Sequence, residues 1–167
     1  MYHEGDLVVY GIHGVCKVSE HEKQIIDRKM VTFLVLEPLG HEGARYLIPV
    51  DNETAMKKLR PLLTPDQLNE LIHSEAVQTA SWNLDENKRK QAYREMIGTV
   101  DRTCLIRTLH MLYRYKREQE LKGKRLHQVD ENFLHDGERL VSEEISIIMD
   151  LPLEQAKTYL RRELQSE

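Results

Sequence analysis

The chain has 167 residues, of which 31% are charged and 40% hydrophobic, and its formal net charge at pH 7 is −4. This length suits one ordinary domain or two small ones, and the composition is that of a folded chain. No apolar run reaches the ~18 residues of a bilayer-spanning helix, MYHEGD lacks signal-peptide character, and two distant cysteines favour a reducing compartment, so we expect a cytoplasmic protein without disulfides.

The first third of the chain is predicted to form β-strands. Val, Ile, Thr, Phe and Tyr dominate four runs, and glycines stand between them where turns are needed. The runs cover residues 6–10, 15–26, 29–39 and 44–50. Four or five short strands at this spacing predict a small barrel or a strongly bent sheet, with little room for an active-site cavity.

Helical patterns follow the strands. Thr64, Pro65 and Gln67 supply the cap, the first-turn proline and the capping box of a first helix. Residues 75–81 are predicted to be a linker. Apolar residues at helical spacing then predict helices over 85–97, 101–121 and 130–149, and a last one from Pro152 onward. The expected fold class is therefore α+β, a small N-terminal β domain followed by a C-terminal α-helical domain.

The net charge conceals a basic segment that begins at the only tryptophan, Trp82. Residues 82–125 carry twelve Lys and Arg against six Asp and Glu, whereas residues 126–167 carry four against ten. This asymmetry indicates an anionic partner, although the bases could instead pair with the acidic C-terminal segment. Because Leu84 is the only apolar residue close to Trp82 in sequence, the pattern fits an exposed ring as well as one packed in a hinge.

No catalytic constellation is present in the sequence. His3, His13, His21 and His41 lie in or beside the strand region without the spacing that lets one helix or knuckle hold a metal ion. The phosphate-cradling glycine motifs and the G-x-S-x-G nucleophile motif are also absent. We therefore interpret the chain as a binding protein, and we expect no enzymatic activity, no cofactor and no metal.

The segment EGDLVVYGIHGV (4–15) resembles the opening of the CarD family of bacterial transcription regulators, also called the CarD/CdnL/TRCF family. Members typically begin with a G-D-x-V-V-Y-P-x-H-G-like segment, and here Gly11 stands where proline is usual. FLVL (33–36) and Ile48-Pro49-Val50 are similar to later strands of the family. A tryptophan, basic residues and a helix ending before Asp101 follow in the family's order, so the resemblance covers nearly the whole chain.

The resemblance implies two binding activities. A Tudor-like N-terminal module would dock on the RNA polymerase β subunit, and a helical module would lie on promoter DNA at the upstream edge of the transcription bubble, stabilising the open complex. The implied division is a polymerase-interacting β domain over 1–62, a connecting helix and linker over 63–81, and a DNA-binding helical domain over 82–167. We expect a nucleoid-associated bacterial protein with no membrane partner, and a monomer, because nothing in the sequence demands a dimer.

Trp82 matches the tryptophan that acts in the family as a minor-groove wedge. Opening base steps costs a few kcal/mol per step, and stacking on an aromatic ring returns roughly 1–3 kcal/mol. The expected phosphate contacts are Lys88, Arg89, Lys90 and Arg94, although the three consecutive residues fan around a helix and cannot all touch one DNA backbone. No base-reading pattern is present, so binding should be sequence-tolerant and salt-sensitive.

Polymerase docking is expected on the strand region, because an exposed sheet edge can pair with a strand of a partner. Some family members carry arginines on the docking strands. The best matching positions here are Gln24 and Leu47; Arg28 or Lys29 lies near Gln24 across an expected turn, and Arg45 lies two residues before Leu47.

Two other functions remain open. One is a polymerase-docking adaptor whose helical domain binds a protein instead of DNA. The other is an enzyme whose site is assembled from scattered histidines.

Overall fold

The computed structural model describes residues 1–79, 85–97 and 102–165. The chain divides into two compact units, Met1–Leu62 and Leu63–Glu167. The first is built on an antiparallel sheet and the second on helices. The α+β class expected from the sequence is confirmed.

Five antiparallel strands form the N-terminal unit, in the order β4-β3-β2-β1-β5. The strands are β1 (Leu7–Tyr10), β2 (Val15–Ile26), β3 (Lys29–Pro38), β4 (Tyr46–Pro49) and β5 (Leu59–Pro61). A 3₁₀ turn at Gly11–His13 joins β1 to β2, and a short helix, α1 (Glu53–Met56), precedes β5. The sequence patterns predict β1 to β4 but neither α1 nor β5.

The core cluster of this unit lies on one face of the sheet, and Val9, Val15 and Val35 are buried on the other face as well. Val8 of β1 is opposite Cys16 of β2, and Leu34 of β3 is opposite Ile48 of β4. All four side chains are buried in one cluster, which Leu59 of β5 completes. Cys16 is therefore a small core residue, as its place in an alternating strand predicts.

The described residues of the second unit form six helices. They are α2 (Pro65–Ile72), α3 (Glu75–Gln78), α4 (Glu86–Ile97), α5 (Arg102–Leu121), α6 (Gln128–Ile148) and α7 (Leu153–Gln165). Helix α2 begins with the expected capping box between Thr64 and Gln67. The assignment of residues 75–81 to a linker is wrong over Glu75–Gln78, because Val77 of α3 is fully buried in the core of this unit.

Three buried carboxylates on α6 bind arginines from three other helices, and each pair joins α6 to a different neighbour. The pairs are Asp130 with Arg89 of α4, Glu138 with Arg161 of α7, and Glu144 with Arg102 of α5. Glu144 also accepts a hydrogen bond from the backbone N–H of Leu63, at 3.1 Å. Buried charges are tolerated when they are paired in this way.

A tyrosine hydroxyl supports two of these carboxylates. Tyr93 of α4 donates to Asp130, and Tyr113 of α5 donates to Glu138. Burial raises the pKa of both tyrosines, so they remain donors at neutral pH. Burial also favours a higher pKa for Glu138, but hydrogen bonds from Arg161 and Tyr113 outweigh it, and the pKa of Glu138 lies below its ordinary value.

Candidate polymerase and nucleic-acid interfaces

The β2–β3 hairpin extends beyond its neighbouring strands. In the register, β1 pairs only with Val15–Lys17 of β2, and β4 pairs only with Phe33–Leu36 of β3. The outer part of the hairpin, residues 20–31, is therefore a two-stranded arm, and no other strand of the described residues pairs with its edges. Unpaired backbone N–H and C=O groups along such an edge can bind a strand of a partner protein.

Two of the expected polymerase contacts lie on this arm. Gln24 is half-buried, opposite Val31, and its Nε2 donates to Glu22 Oε1 at 2.6 Å. Arg28 is at the tip, where Asp27 and Arg28 form a two-residue turn with φ angles of 48° and 65°. Positive φ at both positions is typical of a type I′ turn, and it is strained for a residue with a side chain such as arginine.

The other two expected contacts lie at the edge strand β4: Leu47 is within the strand, and Arg45 immediately precedes it. Leu47 is 39% exposed and is opposite the fully buried Val35. One guanidinium nitrogen of Arg45 lies 2.7 Å from Glu20 Oε1 and 3.3 Å from Glu22 Oε2. Two acids therefore already neutralise Arg45, so it reaches a partner only by exchanging these surface ion pairs, which cost little to break.

Helix α4 carries the bases nearest to Trp82, and its first turn is fixed by two acids. Asp85 caps the helix, accepting hydrogen bonds at Oδ1 from the backbone N–H groups of Asn87 and Lys88. Glu86 lies 3.5 Å from Lys90 Nζ, and its other oxygen lies 3.1 Å from His127 Nδ1. The acids between the tryptophan and the bases therefore support the helix end.

Arg89, one of the expected phosphate contacts, is buried and paired within the helical unit, so the structure does not present it to a partner as the sequence pattern suggested. Its side chain is 7% exposed, and its Nε and one terminal nitrogen bind the two oxygens of Asp130 at 3.0 and 2.9 Å. Hydrogen bonding to Asp130 raises the pKa of Arg89, so the guanidinium stays charged. This two-pronged pair fastens α4 to α6, and Tyr93, one turn on, stacks on Phe133 of α6 at 4.2 Å between ring centroids.

The remaining bases of α4 lie on two sides of the helix. Successive residues are rotated by about 100°, so Lys88 and Lys90 are on opposite sides of the inward-facing Arg89. Arg94 lies one turn beyond Lys90 and shares its side. Lys88 and Arg94 are exposed, and neither side chain makes an ion pair within the described part of the chain. They are the two cations of α4 most available to an anionic partner.

Part of the basic segment pairs internally with the acidic C-terminal segment. Besides Arg89 and Arg102, Lys116 of α5 binds Glu131 of α6 at 2.9 Å. The internal-pairing interpretation of the charge asymmetry therefore holds for these three residues, and an anionic partner for the remaining bases stays a prediction. Trp82 itself lies outside the described residues, and its role as a wedge stays a prediction.

The described residues contain neither a candidate metal site nor a candidate membrane-spanning helix. No group of three or more His, Cys, Asp and Glu side chains within residues 1–79, 85–97 and 102–165 could hold a metal ion. Over the same ranges, no helix combines the length and apolar character needed to cross a membrane.

Comparison with known protein families indicates which kind of domain the N-terminal unit forms. A family model described as the CarD-like/TRCF RID domain matches residues 2–61, which is nearly all of this unit. A search of curated protein sequences finds no match. Residues 2–61 therefore form an RNA polymerase-interacting domain of the CarD-like family, as the resemblance implied.

Proposed function

We propose that this chain, which carries a CarD-like/TRCF RID domain, regulates transcription initiation by docking on the RNA polymerase β subunit and holding promoter DNA with its helical unit. The match over residues 2–61 is the observation that carries the proposal. The DNA contacts are sequence-tolerant and act at the upstream edge of the bubble. There they stabilise the open complex, in a nucleoid-associated protein that works as a monomer.

The hairpin arm and the edge strand β4 are the surface proposed to dock on polymerase. Gln24 and Arg28 lie on the arm, whereas Arg45 and Leu47 lie beside the edge. Backbone pairing supplies much of the affinity in such complexes, and side chains set the specificity. We expect Leu47→Asp to weaken binding to an isolated β-subunit fragment about tenfold or more, because it puts a charge into a desolvated contact. Leu121→Asp is the matched control, since Leu121 is exposed on α5 in the other unit.

Trp82 is proposed as the wedge, with Lys88, Lys90 and Arg94 as the phosphate-binding side chains. Lys88 and Arg94 carry most of this contact, because Lys90 is engaged with Glu86. Each phosphate contact contributes about 0.9 to the slope of log affinity against log salt. Replacing both Lys88 and Arg94 with alanine should therefore lower the slope by about two. Arg162→Ala, which removes an exposed charge from α7, should leave the slope unchanged.

A fluorescence titration tests the wedge directly, because Trp82 is the only tryptophan. Forked duplex DNA should quench the emission in the presence of polymerase, where docking brings the helical unit to the fork. Trp82→Ala should shorten the lifetime of the open complex about ten- to a hundredfold, which corresponds to roughly 1–3 kcal/mol of lost stacking. Affinity for polymerase should stay within about twofold, since the docking surface is on the other unit. Equal loss of both activities would contradict the proposal.

A polymerase-docking adaptor is the second candidate, and one feature of the helical unit favours it. Tyr93 and Ile97 of α4, with Val129 and Phe133 of α6, line a mostly apolar cleft of about 470 Å³. A cleft of this kind can hold an apolar side chain of a protein helix. If the adaptor function is correct, Val129→Lys will abolish binding of the partner protein, and the Lys88 and Arg94 variants will not change open-complex lifetime.

A further inference from the structure

A second cleft, separate from the hairpin arm and from α4, lies along one face of α5. It has a volume of about 460 Å³ and is lined by residues of α5, by Leu164 and Gln165 at the end of α7, and by Gln78 of α3. This volume falls in the range of small-molecule sites. The functions proposed above do not use this cleft.

His110, whose side chain lines this cleft, has a buried ring nitrogen without a hydrogen-bond partner among the described residues. The side chain is only 4% exposed, and its Nδ1 lies 2.7 Å from the backbone oxygen of Leu164. Since a carbonyl oxygen only accepts, Nδ1 carries the hydrogen, and in the neutral imidazole Nε2 then has a lone pair. Nε2 is buried and has no hydrogen-bond partner among the described residues. A buried polar atom without a partner is costly, so its presence indicates an absent donor.

Two arginines stand on the same face of α5 as His110. Arg114 and Arg117 follow it by four and seven residues, which places the three side chains in one row. Both arginines line the cleft and are exposed, and neither makes an ion pair or hydrogen bond with another described residue. Glu118 also lines the cleft, so the lining carries an excess of one positive charge. If Arg114 and Arg117 had only a structural role, it would be to offset the negative C-terminal end of the α7 helix dipole.

We propose that this cleft binds the phosphate group of a small phosphate monoester. Guanidinium groups match phosphate oxygens with paired hydrogen bonds, and Arg114 and Arg117 can each supply them. A phosphate monoester loses its second proton at about pH 6, so part of it still carries a P–O–H at neutral pH. That hydroxyl donates to His110 Nε2. At neutral pH a carboxylate or a DNA phosphodiester has no such proton to donate to His110 Nε2. The cleft should therefore bind a phosphate monoester in preference to either of them.

The test is a titration of the full-length chain followed by the backbone amide resonances of Gln78, Arg114 and Arg117. Inorganic phosphate and phenyl phosphate should shift these resonances saturably, with dissociation constants in the millimolar range or below. Sulfate has a similar shape and charge but no proton at neutral pH, and it should bind about tenfold more weakly, because a buried acceptor is then left unpaired.

Three substitutions locate the site. Arg114→Ala and Arg117→Ala should each weaken phosphate binding about tenfold or more, since each removes a charged hydrogen-bond donor. Arg107→Ala, which removes an exposed arginine of the same helix outside the cleft, should leave the affinity within about twofold. His110→Asn retains a donor for the Leu164 carbonyl but removes Nε2, so it should abolish the preference for phosphate over sulfate.

Several results would overturn the proposal. These are the absence of saturable shifts, equal affinity for sulfate and phosphate, and an Arg107→Ala effect as large as those of the cleft arginines. Shifts of the same amides by duplex DNA, with no response to phenyl phosphate, would assign the cleft to the nucleic-acid backbone instead. If His110→Asn fails to fold, the sulfate comparison and the two exposed arginines still decide the question.

Discussion

Arg89 and Lys88 are adjacent in sequence, yet Arg89 is buried and paired whereas Lys88 is exposed, and alanine substitutions separate the structural role of Arg89 from the DNA contact proposed for Lys88. Arg89→Ala leaves Asp130, which is 0% exposed, with the Tyr93 hydroxyl but without its guanidinium partner. Breaking a buried ion pair on one side costs about 3–5 kcal/mol. For a helical unit of this size we expect the midpoint of thermal unfolding to fall by roughly 12 °C or more.

Lys88→Ala removes an exposed side chain and should change the free energy of unfolding by less than about 0.5 kcal/mol. It should instead weaken DNA binding and lower its salt dependence by about one contact. Circular dichroism of the helical signal measures stability. Salt-dependent DNA affinity, taken at a temperature where both variants are folded, measures binding.

A double substitution completes this test. Arg89→Met with Asp130→Leu replaces the pair by apolar groups, and it should recover most of the stability that Arg89→Ala loses. The reasoning is refuted if Arg89→Ala unfolds within about 1 kcal/mol of the parent and weakens DNA binding as Lys88→Ala does. Arg89 would then be a solvent-facing contact.

Three further substitutions follow from the described geometry. Arg28→Gly should raise the free energy of unfolding by up to about 1 kcal/mol, because glycine adopts a φ of 65° without strain, and thermal denaturation measures the gain. Since the folded-state pKa of Glu138 lies below its ordinary value of 4.5, its charge stabilises the fold fully above that value, and the stabilisation is lost as the pH falls through the folded pKa. Glu138→Gln should remove this part of the acid sensitivity, and urea unfolding at a series of pH values would contradict the assignment if the profile is unchanged. Gly137→Val should destabilise by about 1–3 kcal/mol, because even a Cβ would lie 3.0 Å from Leu109 Cδ2, and chemical denaturation measures the loss.

The β2–β3 hairpin was predictable because two long β-branched runs flank a short polar break. The bounds predicted from the sequence, 15–26 and 29–39, differ from the observed strands only at the last residue of β3. Helix α1 and β5 were missed because four and three residues are too few for a period to emerge. Asn52, which caps α1, was the one local signal of that helix.

The inward position of Arg89 was also predictable from its spacing to the apolar residues of the same helix. Arg89 precedes Tyr93 by one turn and Met96 by two, so it continues the apolar side of α4. On α6, Asp130 likewise lies one turn before Phe133 and Leu134. What the sequence could not supply is the pairing itself, since the two residues are 41 positions apart and meet only when the helices pack. A run of bases beside a tryptophan therefore overstates the charge available to a partner.

The three acids of α6 have a consequence for how the helices choose their places. Each carboxylate lies at a different position along α6 and meets a guanidinium from a different helix, so an arrangement in which two helices exchanged positions would break two of the three buried pairs unless their arginines met the other carboxylates. We infer that Asp130, Glu138 and Glu144 help to specify the positions of α4, α7 and α5, respectively, against α6. The Arg89→Met and Asp130→Leu variant removes one of these ion pairs but keeps both positions buried. Sharp amide resonances with unchanged α4–α6 contacts in that variant would show that this pair is not needed to place α4.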